Sequence, residues 1–276
     1  LPEAEIDAML ETALKQCDIE YDYSAMCYML SKPIPGDKYL IVGDGAKAGD
    51  TGDPSAMTVW SITTWTLVGY WAGREQPGEF ADRLIAAGEY FAEFEAPRKH
   101  VPIEEHEGQF YSRGLPALLV IEKNAGEVLE IVKREGYKHI WCEKKGVGGE
   151  GWTASDTSKN RGMGLLIAAL RQKEIHIGAY AVVSQLKTFD GISRKKRQKD
   201  SEGNRHHYDL AMTVLIAADV LSGRRGKSTP SDGNVLNIQR EKMLAIMSPE
   251  EKQSLLLEDI NTKYQQMVNS MFTIGG

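Results

Sequence analysis

The sequence predicts an α/β domain built on a mixed sheet, an antiparallel meander joined to parallel strands, with flanking helices and a helical C-terminal tail. Three observations carry this. Tyr39-Leu40-Ile41-Val42 is an apolar, β-type run that ends on Gly43-Asp44-Gly45-Ala46, so a buried strand stops at a carboxylate and turns away on glycine. Two more β-type runs, 57–62 and 67–71, follow at hairpin spacing. Beyond them, helical periodicity alternates with a second continuous apolar run, 117–121, which again ends on a carboxylate, Glu122.

A chain of 276 residues can bury a substantial core, as one large domain or a domain with an appendage. Its 42% hydrophobic and 26% charged residues place it with ordinary globular proteins. A net charge of -6 argues against a protein that coats nucleic acid non-specifically. It does not argue against a nuclease, in which carboxylates coexist with local basic patches. Cys17, Cys27 and Cys142 are odd in number and form no CxxC pair, which points to reduced thiols in a cytoplasmic setting. No apolar run approaches the roughly 18 residues of a membrane span, so no membrane partner is expected. With neither a signal peptide nor an initiator Met, the chain reads as cut from something longer.

In order, residues 1–17 read as an amphipathic helix with Ile6, Met9, Leu10 and Leu14 on one face. Residues 18–37 read as irregular, since Pro33 and Pro35 break any helix. Strand 38–44 opens the main domain, 38–222, and the meander follows. A helix over 78–95 buries Phe80, Leu84, Ala87, Phe91 and Phe94, and Pro97 stops it. After the strand ending at Glu122 come a helix over 127–135, a short strand over 139–142 and a Gly-rich charged loop over 144–151. Ser155 or Thr157 caps a helix reaching about residue 172. A helix over 180–190 leads to Arg194-Lys195-Lys196-Arg197-Gln198-Lys199, set between turn residues. Such a run is a solvated face or, beside an active site, a phosphate clamp. A helix over 206–221 carries Asp209 in its first turn. The tail, 223–276, starts with a linker and holds two expected helices, 235–246 and 249–271, the second with Ser248, Pro249 and Glu251 as its capping signals.

Asp44 alone reads as an ordinary turn residue. Three carboxylates at element ends change that. A meander followed by alternating strands and helices suggests a ribonuclease-H-like layout, in which the first strand is central and the strand before Glu122 runs beside it. Asp44 and Glu122 then come close, and the last helix presents Asp209 across from them. Mg²⁺ and Mn²⁺ take hard oxygen ligands of this kind, and two such ions about 4 Å apart can drive phosphodiester hydrolysis.

Four stretches, in order, carry a resemblance. They are Tyr39–Asp44 with Gly52-Asp53-Pro54-Ser55-Ala56, then Val120-Ile121-Glu122-Lys123-Asn124, then Gly151-Trp152-Thr153 with Thr157-Ser158-Lys159, and last His207-Tyr208-Asp209-Leu210-Ala211-Met212. Over about residues 38–222 the chain resembles the nuclease domain of the large terminase subunit of tailed bacteriophages. The resemblance implies an endonuclease that cuts packaged double-stranded DNA with little sequence preference, using two Mg²⁺ or Mn²⁺ ions. Asp44, Glu122 and Asp209 would be its catalytic metal ligands, and Asp53 would hold a metal water. Lys159 and Arg161 would meet the DNA backbone; the basic run Arg194, Lys195, Lys196, Arg197 and Lys199, read from the residues alone as a phosphate clamp, would position the backbone with Lys159. An upstream ATPase motor domain, a portal protein and a small terminase subunit are the implied partners, in the host cell cytoplasm.

The chain departs from the family twice. Tyr208-Asp209 stands where many members have two consecutive Asp residues. His206 lies three residues before Asp209, one helical turn away, as a supplementary ligand or as a capping or DNA-facing residue. No GxxxxGK[ST] occurs, so no ATP hydrolysis is assigned. His106, within Glu104-Glu105-His106-Glu107, has no second His or Cys at ligand spacing and reads as part of a solvated acidic loop. Of the five tryptophans, Trp152 beside the Gly-rich loop is the one that could reach a substrate. Two other readings stand: a resolvase or transposase of the same fold, and a non-catalytic portal-docking module whose acids are structural.

Overall fold

The computed structural model describes residues 1–15, 18–34, 36–45, 54–92, 115–143, 149–189 and 208–223. Its centre is a six-stranded sheet: β1 (Glu20–Asp22), β2 (Cys27–Met29), β3 (Tyr39–Asp44), β4 (Ser55–Ser61), β5 (Thr66–Gly73) and β6 (Leu118–Ile121), in the order β1-β2-β5-β4-β3-β6. The neighbours from β1 to β3 are antiparallel, whereas β6 runs parallel to β3, with Gly43 opposite Ile121. This is the expected ribonuclease-H-like mixed sheet. It places the ends of β3 and β6, and hence Asp44 and Glu122, side by side.

Both faces of the sheet are covered, as the unbroken apolar strands require. Side chains alternate along β3. Tyr39 and Ile41 pack with Phe80, Leu84 and Val128 from α2 (Pro77–Tyr90) and α3 (Gly126–Arg134). Leu40 and Val42 face the other way, onto α4 (Asp156–Arg171), α5 (Tyr180–Thr188) and α6 (Asp209–Ser222), with α1 (Glu3–Thr12) joining that layer through Ile6. α6 is buried almost all round, from Leu210 to Leu221, and is the central helix of its layer. It lies so close to α4 that a Cβ added at Gly162 would stand 2.6 Å from Leu215 Cδ2. Among the described residues no helix is long and apolar enough to cross a membrane.

The structure corrects several boundaries. The stretch 18–37 is not wholly irregular: it contains the hairpin β1–β2, whose strands of three residues each are too short to show a period. Asp22 Oδ1 accepts from the backbone N–H groups of Ser24 and Ala25 and closes the turn, and Met26 takes a left-handed φ of 51°. Arg83 of α2 fixes this hairpin, donating to Tyr21 Oη, the Met26 carbonyl and Glu75 while its guanidinium lies 3.9 Å from the centre of the Trp71 ring. The first helix stops at Thr12, and Leu14 pairs with Ala179 as an isolated bridge. β4 begins at Ser55, two residues before the expected start at 57, and ends at Ser61. The helix expected to reach residue 95 ends at Tyr90, and 139–142 forms isolated bridges rather than a strand. Phe94, Pro97, His106 and the tail helices lie outside the described residues.

Candidate active site

Four side chains of different elements meet at one end of the β3–β6 pair. Asp44 ends β3. Glu122 directly follows β6, where its backbone N–H donates to the Gly43 carbonyl at 3.0 Å. Its carboxylate is 5% exposed and accepts from Asn124 Nδ2 at 2.8 Å, which orients it. Asp209 opens α6. The first backbone N–H groups of that helix, at Leu210 and Ala211, donate to Gln185 Oε1 of α5 at 3.0 and 3.3 Å, so a residue of another helix supplies the cap that Tyr208 does not. Lys159 sits in the first turn of α4. Ser155 caps that turn, with a reciprocal bond to Ser158.

The electrostatics tie these groups together. Burial, a hydrogen bond with Glu122, and repulsion from Glu122 and Asp209 push the Asp44 carboxyl well above its usual range, while Lys159 works against that shift. Two carboxyls that share a hydrogen bond need a proton or a cation between them. Among the described residues no set of three or more His, Cys, Asp or Glu is arranged to hold a metal ion by itself. Mg²⁺ and Mn²⁺ do not need a closed protein cage. They bind through one or two carboxylates, waters and substrate phosphate. The Asp44–Glu122 pair of hard oxygens, with Asp209 in electrostatic range, fits that chemistry.

The other candidate residues fall differently. Arg161 Nε and Nη2 donate to Asp219 Oδ1 and Oδ2, both at 2.6 Å, so its guanidinium is engaged within the protein on a half-exposed side chain. Trp152 is fully buried, with its indole N–H donating to Asp219 Oδ2 at 2.8 Å, and this overturns the expectation that it could reach a substrate. Asp53, His206, Arg194, Lys195, Lys196, Arg197 and Lys199 lie outside the described residues. Three contributors were not anticipated from sequence as site-supporting groups: Asn124, Gln185 and Asp219. Two signals were available: Asn124 stands in one of the four stretches, and Asp219 is an acid in a largely apolar helical run.

The backbone around Glu122 explains part of this order. Trp152 N–H donates to the Ile121 carbonyl, and Lys123 N–H donates to the Trp152 carbonyl, both at 2.8 Å, so residue 152 brackets Glu122 as a short extension of the sheet. Gly151 makes that approach possible. Its φ is +88°, and a Cβ there would lie 2.9 Å from the Ile121 carbonyl oxygen.

Comparison with solved structures gives similar chain paths at low identity. The large terminase nuclease of thermophilic phage G20c has a TM-score of 0.49 at 15% identity, over 77% of this chain and 96% of that one. Its structure with bound magnesium gives 0.47 at 14%, over 77% and 95%. The human cytomegalovirus terminase nuclease domain gives 0.43 at 7%, over 79% and 93%. No family model and no curated protein matches the chain.

Proposed function

We propose that this chain is a divalent-metal-dependent endonuclease that cuts double-stranded DNA during viral genome packaging. One observation carries the reading: Asp44 and Glu122, distant in sequence, share a hydrogen bond at the end of the parallel strand pair with Asp209 and Lys159 in electrostatic range. An acidic cluster of this kind is costly in a protein that only docks, and useful in one that binds a cation. The order of the four sequence stretches adds the packaging setting and its partners, an ATPase motor, a portal protein and a small terminase subunit in the host cell cytoplasm.

Asp44 and Glu122 would hold Mg²⁺ or Mn²⁺, with Asp209 completing the acidic wall opposite them. Such ions, two in the reading favoured here, supply the positive charge that activates water and stabilises the departing 3′ oxygen. Asn124 keeps the Glu122 carboxylate turned toward Asp44, and the Gln185 cap holds the first turn of α6 in place. Lys159 offers a charge to the DNA backbone, a contact that carries no sequence information and weakens with salt. Asp53, His206 and the basic run 194–199 are proposed to extend the ligand set and the DNA path.

The test is cleavage of supercoiled plasmid in Mg²⁺ or Mn²⁺, with Asp44→Asn and Glu122→Gln in parallel. Cutting by the parent alone, stopped by EDTA, is the expected outcome. A folded parent that cuts in neither metal would favour the portal-docking module. Equal cutting by all three proteins would remove the carboxylates from the mechanism.

A further inference from the structure

We propose that Asp219, deep in α6 and about 15 Å along the helix from Asp209 at 1.5 Å per residue, is the positioning residue of the carboxylate centre. The inference rests on the nuclease reading above. Its substance is that one buried carboxylate ties together the three segments bearing Glu122, Lys159 and Asp209.

The ties are specific. Asp219 is 7% exposed and accepts three hydrogen bonds at 2.6–2.8 Å: two from Arg161 and one from the Trp152 indole. Arg161 lies two residues after Lys159 on α4, and the same guanidinium reaches Glu143 at 3.8 Å. Trp152 brackets Glu122 through its own backbone bonds to residues 121 and 123. Asp219 itself shares α6 with Asp209. Only Asp44 stands outside, and β3 joins it to Glu122 through the Gly43 carbonyl.

Stability alone does not account for such a group. An ion pair between a buried carboxylate and a half-exposed guanidinium adds little net stability once desolvation of the carboxylate is counted. A charged, bidentate pair adds direction, which apolar packing lacks. It fixes the slide of α4 along α6 and the height of residue 152 beside Glu122. Groups that orient a metal's ligands in this way matter through the ligands, without touching substrate.

The test uses the full chain with Asp219→Asn, Arg161→Gln and Trp152→Phe. Calorimetric titration with Mn²⁺ in the absence of DNA is one readout, and kcat and KM for plasmid cleavage are the others. Loss of a partner bonded directly to a metal ligand typically costs about 10–100-fold in metal affinity or activity. Asp219 acts through Trp152 and Arg161, so Mn²⁺ binding and kcat should fall by about tenfold, the low end of that range, with KM for DNA nearly unchanged. Arg161→Lys, which can still meet one oxygen, should recover part of the loss. Circular dichroism establishes that each variant is folded. Arg161→Gln, at a half-exposed position, and Trp152→Phe, which keeps an aromatic ring without the donor, keep the test available if Asp219→Asn does not fold.

Folded variants with a lower Tm but parental Mn²⁺ affinity and kcat would reduce Asp219 to a structural residue. A raised KM with kcat intact in Arg161→Gln would make Arg161 a DNA contact instead. A parent that neither binds Mn²⁺ nor cuts would overturn the nuclease reading and this one with it. A competent parent with equally competent variants would overturn the positioning role alone.

Discussion

Replacing Asp44 by Asn should move thermal stability in opposite directions with and without a divalent cation. In the metal-free protein the Asp44 carboxyl is held above its ordinary 3.8 by burial and by its neighbours Glu122 and Asp209. The folded state therefore keeps a proton that the unfolded chain releases. That contribution is complete below pH 3.8 and is lost as pH rises through the folded value. Asn never needs the proton, and its amide donates to the Glu122 carboxylate. Both the protonated acid and the amide donate to the Glu122 carboxylate, so the bonds nearly cancel. The variant escapes the cost of holding a proton at pH 7, and we expect a gain of about 1–2 kcal/mol. For a domain of about 150–250 residues that is a Tm rise of roughly 2–8 °C. With Mn²⁺ at about 100 times its Kd the parent gains about 2.7 kcal/mol, or roughly 5–11 °C, and the variant gains little. Scanning calorimetry in EDTA and in MnCl₂ reads both effects, and below pH 3.8 the EDTA difference should close. An Asn variant less stable than the parent in EDTA at pH 7, or an equal Mn²⁺ gain in both proteins, would refute the reasoning.

Three further outcomes are expected. Gly162→Ala drives a methyl into Leu215, with its side chain at 2.6 Å and its carbonyl at 3.1 Å, so overpacking should cost about 1–3 kcal/mol in urea unfolding. Arg83→Met leaves Glu75 without its buried cation and should cost about 3–5 kcal/mol, with faster amide exchange in the β1–β2 hairpin by mass spectrometry. Burial pushes the Cys27 thiol up to about 12, whereas Cys142 is exposed, so iodoacetamide at pH 8 should label Cys142 in the native protein and Cys27 only after unfolding, as peptide mapping would read.

The central strand, the meander and the helices were legible in the sequence because each has a long apolar period. The run ending at Asp44 and the run ending at Glu122 announced themselves as strands stopping at carboxylates, and their parallel pairing brings those ends together. The hairpin β1–β2 was not legible, since three-residue strands carry no period and are held in place by Arg83, 62 residues from Tyr21. Nor was the tie made by Asp219. Its partners stand 58 and 67 residues away, and such an acid in an apolar helix gives no hint of which donors it meets. Trp152 was misjudged for a related reason. Its place beside a Gly-rich loop suggested access, but residue 152 extends the sheet inward and its indole is sealed beneath α6.

The burial of α6 on nearly every face has a consequence for the order of synthesis. Asp209 emerges from the ribosome 87 residues after Glu122, an interval of about 4–17 s at 5–20 residues per second. Through that interval a nascent chain already carries Asp44 and Glu122, but the layer that α6 completes has no centre. The same helix that seals the core delivers the third acid. Under the proposed nuclease reading, a chain that stops short of α6 lacks both the third acid and the helix that centres the layer, and it should not cut nucleic acid.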